Sequence, residues 1–413
     1  MKAPLYSLVF TVVLGLSPAS YGNAMRESVY NALETVKAQI QDGQYEPASK
    51  QLGEMGQQNN LTAYERSQVL NLHGYLAIQQ HDYPAAIRHY QSIMDLEEVP
   101  EGLHQSARRN LAQLHYQNGD WQQALNVLSE MAPRDVRNDS QLAMLQAHSL
   151  YQLERYREAA TSLEGLGDTD ASEQVLNLLR ACYQQLDDHG SAIGVLETLA
   201  ERFPKTQYLK ALASLYGLQE NYKHQLALME SLYSDQRLES EAEWRALISL
   251  HLHQGQPRKA ALRLQEAINL GVMPASDKSR FELVQAWIQA HEPDQALAIL
   301  EDLSSQTRNG ESELMAGRLL LQSQQWNRAA RWLQKAVAKS GADNPETLLL
   351  LGIAEMRSGN HPKAKDALTR ATRHSSTQER ASQWLDYMNQ LTATDATALA
   401  SHSSTRSLKE DKR

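Results

Sequence analysis

Leu351-Gly352-Ile353-Ala354, followed after six intervening residues by His361-Pro362-Lys363-Ala364 and then by Leu368, is the stretch from which the fold can be read. Gly352 lies twelve places before Ala364, and the bulky Leu368 lies four places after it. Between them Ser358-Gly359-Asn360 has the residues that close a helix C-terminus, because Gly and Asn accept the left-handed backbone such a stop needs. The spacing predicts two amphipathic helices joined by a tight turn, with small residues letting the second pack closely on the first.

Outward from this stretch the arrangement recurs. Its anchors are Tyr45/Ala48, Tyr83/Ala86, Trp121/Ala124, Tyr156/Ala159, His189/Ala192, Tyr222/Gln225, Pro257/Ala260, Pro293/Ala296, Trp326/Ala329 and His361/Ala364. Successive anchors stand 38, 38, 35, 33, 33, 35, 36, 33 and 35 residues apart, which selects helix–turn–helix repeats of about 34 residues. Four places after the anchors come Leu52, Tyr90, Leu128, Leu163, Leu196, Met229, Leu264, Leu300, Leu333 and Leu368, a core face for every second helix. Twelve places before them stand Gly74, Ala112, Ala147, Ala213, Gly317 and Gly352; Arg180, Ile248 and Val284 break that rule and mark degenerate repeats. Asp42-Gly43-Gln44 and Asn118-Gly119-Asp120 are further predicted turns.

The two ends differ from this pattern. Lys2, the uncharged run Leu5 to Leu16, and the small residues Gly22-Asn23-Ala24 predict a secretory signal peptide over 1–24, with the mature chain starting near Met25. Twelve apolar residues cover about 18 Å as a helix, short of the ~30 Å core of a bilayer, so stable membrane insertion is not expected. Residues 392–413, rich in Thr, Ala and Ser before a charged end, predict a disordered tail. Cys182 is the one cysteine of 413 residues, so an exported chain of this kind depends on packing and not on disulfides. Its setting in Leu178-Leu179-Arg180-Ala181-Cys182-Tyr183 predicts a buried, inert thiol. With 40 Lys and Arg against 49 Asp and Glu the formal charge is −9, which disfavours nucleic acid as a ligand.

From near Glu27 to near Leu391 the chain resembles the tetratricopeptide-repeat family, through Gly74-Tyr75-Leu76-Ala77 with Tyr83-Pro84-Ala85-Ala86 and through the stretch quoted first. The resemblance implies an all-α, right-handed superhelical solenoid of about ten helix–turn–helix repeats over 25–376. A polar capping helix over 377–391, with Trp384, Leu385 and Met388 facing inward, would close it. A narrower resemblance is carried by Leu348 to Asn389, ending in Arg380-Ala381-Ser382-Gln383-Trp384-Leu385-Asp386-Tyr387-Met388. It is to periplasmic repeat proteins encoded beside TonB-type energy-transducing systems in Gram-negative bacteria. It implies a periplasmic accessory of iron-chelate uptake, with components of the TonB-type complex as partners.

Chemistry is not expected. No phosphate-binding Gly-rich loop, His-Glu-x-x-His, paired cysteines or Gly-x-Ser-x-Gly elbow is present, so neither cofactor nor metal is implied. His251 and His253, two apart on a predicted helix, point to different faces, and His81 and His89 straddle a turn. Asp187-Asp188, Glu97-Glu98 and Asp168/Asp170 fall at turns and helix ends, where carboxylates cap or face water. What remains is a protein-binding surface.

In the family the first helix of each unit lines a concave groove. Counting from the anchors places Asn71, Tyr75, Arg109, Gln113, Tyr116, His148, Tyr151, Asn177, Gln184, Lys210, Arg245 and His253 there. Arg109, Lys210 and Arg245 would meet carboxylates, and Tyr116 and Tyr151 would act as aromatic anchors. Gln113 follows Arg109 and Ser214 follows Lys210, where the two-carboxylate clamp of chaperone-binding members wants Asn, so that role is not implied. The leading reading is a non-enzymatic periplasmic scaffold. An adaptor for envelope assembly or polysaccharide export is the alternative within the same class. A cell-wall-acting enzyme is the alternative from another class, and the repeats leave it almost no residues for a catalytic domain.

Overall fold

The computed structural model describes residues 25–166, 171–339 and 344–390. The predicted signal peptide, Asp168 and Asp170, and the tail predicted over 392–413 lie outside them. Every regular element among the described residues is helical, and the chain divides at Asn221 into two compact units.

The first unit pairs α1 (Glu27–Gln41) with α2 (Tyr45–Gly56), α3 (Ala63–Gln79) with α4 (Tyr83–Met94), and α5 (Glu101–Asn118) with α6 (Trp121–Ser129). After the short α7 (Pro133–Asn138) come α8 (Ser140–Gln152) with α9 (Tyr156–Glu164), α10 (Glu173–Gln185) with α11 (His189–Arg202), and α12 (Thr206–Leu218). The second unit begins with α13 (Tyr222–Ser234). It pairs α14 (Glu241–His253) with α15 (Pro257–Asn269), α16 (Asp277–Gln289) with α17 (Pro293–Gln306), α18 (Glu311–Gln322) with α19 (Trp326–Lys339), and α20 (Pro345–Arg357) with α21 (His361–Ala371). A last helix, α22, runs over 378–390.

The repeat positions become contacts. All nine anchor alanines are fully buried, and the ten residues four places on are all buried as well. Glycine twelve places earlier is a steric requirement: a Cβ built on Gly352 would stand 2.5 Å from Leu368 Cγ, and one on Gly317 2.5 Å from Leu333 Cγ. At Gly74 the ring of Tyr90 takes the same place, 2.6 Å from such a Cβ. The units with Ile248 and Val284 at this position still form regular hairpins, and both side chains are buried.

One turn closes all ten first helices. The residue five places before each anchor has a positive φ: Gly43, His81, Gly119, Glu154, Asp187, Glu220, Gly255, His291, Gln324 and Gly359. Its N–H donates to the carbonyl three residues back and the next N–H to one five back, as in Gly359 to Met356 and Asn360 to Glu355. That pair of bonds is a Schellman stop, and it satisfies carbonyls a helix end would leave bare.

Two carboxylates tie successive units together from inside. Glu65 Oε1 and Oε2, fully buried on α3, accept from Arg26 Nε at 2.9 Å and Nη2 at 2.7 Å, and Glu65 completes a capping box with Thr62. The Arg26 hydrogen bonds hold the Glu65 carboxyl down at about 2 against the cost of burial. Glu313, fully buried on α18, accepts from Lys339 and Ser304; burial opposes its charge, yet those bonds prevail and keep it below the usual carboxylate range. On α22, Ala381, Trp384, Leu385 and Met388 pack with Leu348, Leu349, Met356 and Leu368.

Candidate functional site

The residues expected on the first-helix face divide into those the fold consumes and those it leaves open. Tyr116 and His148 are buried, 4 % and 6 % exposed, with ring centroids 6.3 Å apart, and Tyr116 also lies edge-on to Trp121 at 5.3 Å. They are packing between units, which corrects their placement on an exposed groove. Their aromatic bodies fill the space between neighbouring first helices, and burial pushes the Tyr116 hydroxyl up and the His148 imidazole down.

The expected carboxylate-binding cations are engaged with the chain itself. Arg109 on α5 pairs with Asp139, the N-cap of α8. Arg245 reaches Glu241 at 2.7 Å and Glu282 of the next unit at 3.1 Å. Lys210 is half-buried on α12. Asn177 donates to the Glu173 carbonyl at 2.9 Å and to the Tyr208 hydroxyl at 2.8 Å. Glu173 in turn takes Lys205 and the Tyr208 hydroxyl, a link between α10 and α12 that spacing alone did not reveal.

Asn71, Tyr75, Gln113 and Tyr151 remain half-exposed, and Gln184 is exposed. Tyr151 is set edge-on against Tyr156 with centroids 5.1 Å apart, so its ring is fixed before any partner arrives. These side chains offer amide and phenol groups that both donate and accept, a set suited to peptide backbone and to uncharged side chains. On the second unit His253 is exposed and stands 4.4 Å from the Tyr222 ring.

No group of three or more His, Cys, Asp or Glu is placed to hold a metal among the described residues. His251 is fully buried, with Nε2 3.1 Å from Glu230 and Nδ1 3.2 Å from Gln256, and burial pushes its imidazole down. His73 and His89 stack at 4.8 Å within one hairpin, both pushed down by burial. Cys182 is fully buried and its thiol is pushed up to about 12, so it holds no thiolate at neutral pH. Asp188 caps α11 through the Ser191 N–H, and Asp187 and Glu98 sit in turns with positive φ. No described helix is long and apolar enough to cross a membrane.

One tetratricopeptide-repeat family model matches residues 77–148 and 251–319, and a second matches 314–379. No curated protein matches by sequence. Among solved structures, that of MamA protein is 13 % identical, covering 42 % of this chain and 94 % of its own, with a TM-score of 0.32. The Naa15/Naa10 complex bound to HypK-THB is 15 % identical over 86 % of this chain and 64 % of that one, with a TM-score of 0.27. The APC/C hetero-tetramer Cut9–Hcn1 is 13 % identical over 84 % of this chain and 79 % of that one, with a TM-score of 0.26. With ten identical turns, nine buried anchor alanines and the family-model matches over 77–148, 251–319 and 314–379, the chain carries tetratricopeptide repeats, and every regular element among its described residues is helical.

Proposed function

We propose that this protein is an exported, non-enzymatic scaffold that holds a protein partner against the first-helix face of its repeats. The observation that carries the reading is the row Asn71, Gln113, Tyr151 and Gln184, which the fold leaves open while neighbouring Tyr116 and His148 are packed away. Repeats of this type generally serve as protein-binding scaffolds without catalysis, and a stacked array offers each unit's spare face to a ligand. The reading sets the protein in the periplasm, on the strength of the signal-like residues 1–24. It takes components of a TonB-type complex as the partner, on the strength of the likeness of Leu348 to Asn389 to accessory proteins of such systems.

The test is cross-linking in intact cells, then capture of the tagged mature chain beside a Gln113→Arg/Gln184→Arg variant. TonB-type or proton-channel components recovered with the native chain, and reduced about tenfold with the variant, are the expected result. Envelope-assembly or export proteins in their place would retain the scaffold and remove the uptake role. Equal recovery by both chains would move binding off this face.

A further inference from the structure

A groove of about 900 Å³ opens between α6 and α9, where the repeat pattern is least regular. These two second helices have 9 residues each, whereas α4 has 12 and α11 has 14. The groove is bounded by α7, an added helix that no other repeat shows among the described residues. Insertions into a repeat array fall in loops on one face, often a binding face. Helix α8 contributes Ala143, Gln146 and Leu150 to the groove, whose other lining comes from α6, α7, α9 and their connections. None of the groove's lining residues is among the first-helix residues assigned above.

Its chemistry is one-sided. Arg137, Arg155 and Arg157 line it with Glu158 as the single carboxylate, in a chain whose formal charge is −9. Arg155 spends its charge on Glu158 through two hydrogen bonds of 2.7 and 2.6 Å. Arg137 and Arg157 are exposed and form no ion pair among the described residues. Leu128, Met131 and Val136 line the same groove and supply apolar surface beside the arginines. Guanidinium forks match carboxylates in plane and charge, and apolar surface beside them suits a side chain flanked by acids. A phosphate backbone would call for a longer basic track than two free arginines.

We propose that this groove binds an acidic peptide segment of a second protein partner, its carboxylates on Arg137 and Arg157 and an apolar side chain over Met131 and Val136. Its size falls within the range of built ligand sites.

The probe is a fluorescein-labelled dodecapeptide with glutamates on both sides of a central Leu-Met pair, titrated by anisotropy against the full mature chain at low salt. Replacing its glutamates by glutamine weakens binding about tenfold or more, as does the Arg137→Glu/Arg157→Glu variant, while helicity and unfolding temperature stay unchanged. If that variant unfolds, Arg137→Gln/Arg157→Gln takes its place, with the same direction expected. The exposed pair Lys363→Glu/Lys365→Glu on α21 is the control and leaves binding intact. The proposal is overturned if the peptide does not bind, if the arginine variants bind it equally, or if the control pair loses as much. Competition by a short DNA duplex as effective as the unlabelled peptide would also overturn it.

Discussion

Each of the ten hairpin turns has one residue with a left-handed backbone, and at these turns glycine, the residue that suits it, stands only at 43, 119, 255 and 359. His81, Glu154, Asp187, Glu220, His291 and Gln324 hold the same conformation with a Cβ, which costs about 1 kcal/mol at each. Replacing His291 or Gln324 by Gly is expected to stabilise the protein by about 0.5–1 kcal/mol, read from urea unfolding midpoints at constant slope. The opposite sign holds at the close approaches: Gly317→Ala and Gly352→Ala force a Cβ into Leu333 and Leu368. Each is expected to destabilise by about 1–3 kcal/mol. Restoring room with Leu368→Ala in the Gly352→Ala background separates crowding from helix propensity. Crowding predicts that the double variant loses less than the two single changes added together.

At the scale of the element, stability depends on how each hairpin is fastened to the next. Arg26 and Glu65 fasten α1 to α3, and the pH dependence follows from the depressed carboxyl of Glu65. A carboxylate held down at about 2 in the folded state contributes fully above its ordinary value near 4.5 and loses that contribution as pH falls toward 2. Arg26→Ala is expected to lower stability at pH 7, and progressively less as the pH falls from 4.5 toward 2. Unfolding of the two proteins at pH 7 and at pH 3 checks both the sign and the window. Helix α22 plays the closing part at the other end: removing 378–390 uncovers Leu348, Leu349 and Met356. The truncated chain is expected to melt lower and to bind more of a hydrophobic dye, since an array needs a polar outer face at its end.

For the whole molecule, an array in which each helix pair rests on its neighbours has no single centre whose loss unfolds everything at once. Amide hydrogen exchange is therefore expected to be graded within each unit. Protection should be greatest on α3–α5 in the first and α18–α20 in the second, and least on α2 and α22, which mass spectrometry of peptides resolves. Uniform protection across either unit would contradict the graded picture. The unit boundary falls at the sixth turn, beside Gln225, the one anchor that is not alanine. There α13 buries only Met229 and Leu232 of its 13 residues.

The sequence by itself determined the repeat. Period, anchor alanines and the residues four places on are local regularities, and a small side chain at a helix crossing is the same constraint wherever it recurs. Three of the ten turns were legible because they contain Gly. The other six without Gly, and Gly255, were set by the common hairpin geometry, which imposes a left-handed residue whatever stands there. Only the tertiary structure decided which polar residues are free. Arg109 and Arg245 are spent on Asp139, Glu241 and Glu282, Tyr116 and His148 are enclosed between units, and Glu65 and Glu313 are buried charges with distant partners. Helical spacing fixes the face a side chain occupies, but whether that face meets solvent or a neighbour's carboxylate depends on residues of other helices, as with Asp139 for Arg109, Glu282 for Arg245 and Arg26 for Glu65. For the same reason the groove beside α7 could not be read from the sequence: its lining comes from α6, α7, α8 and α9 together, and a space is defined only by what surrounds it.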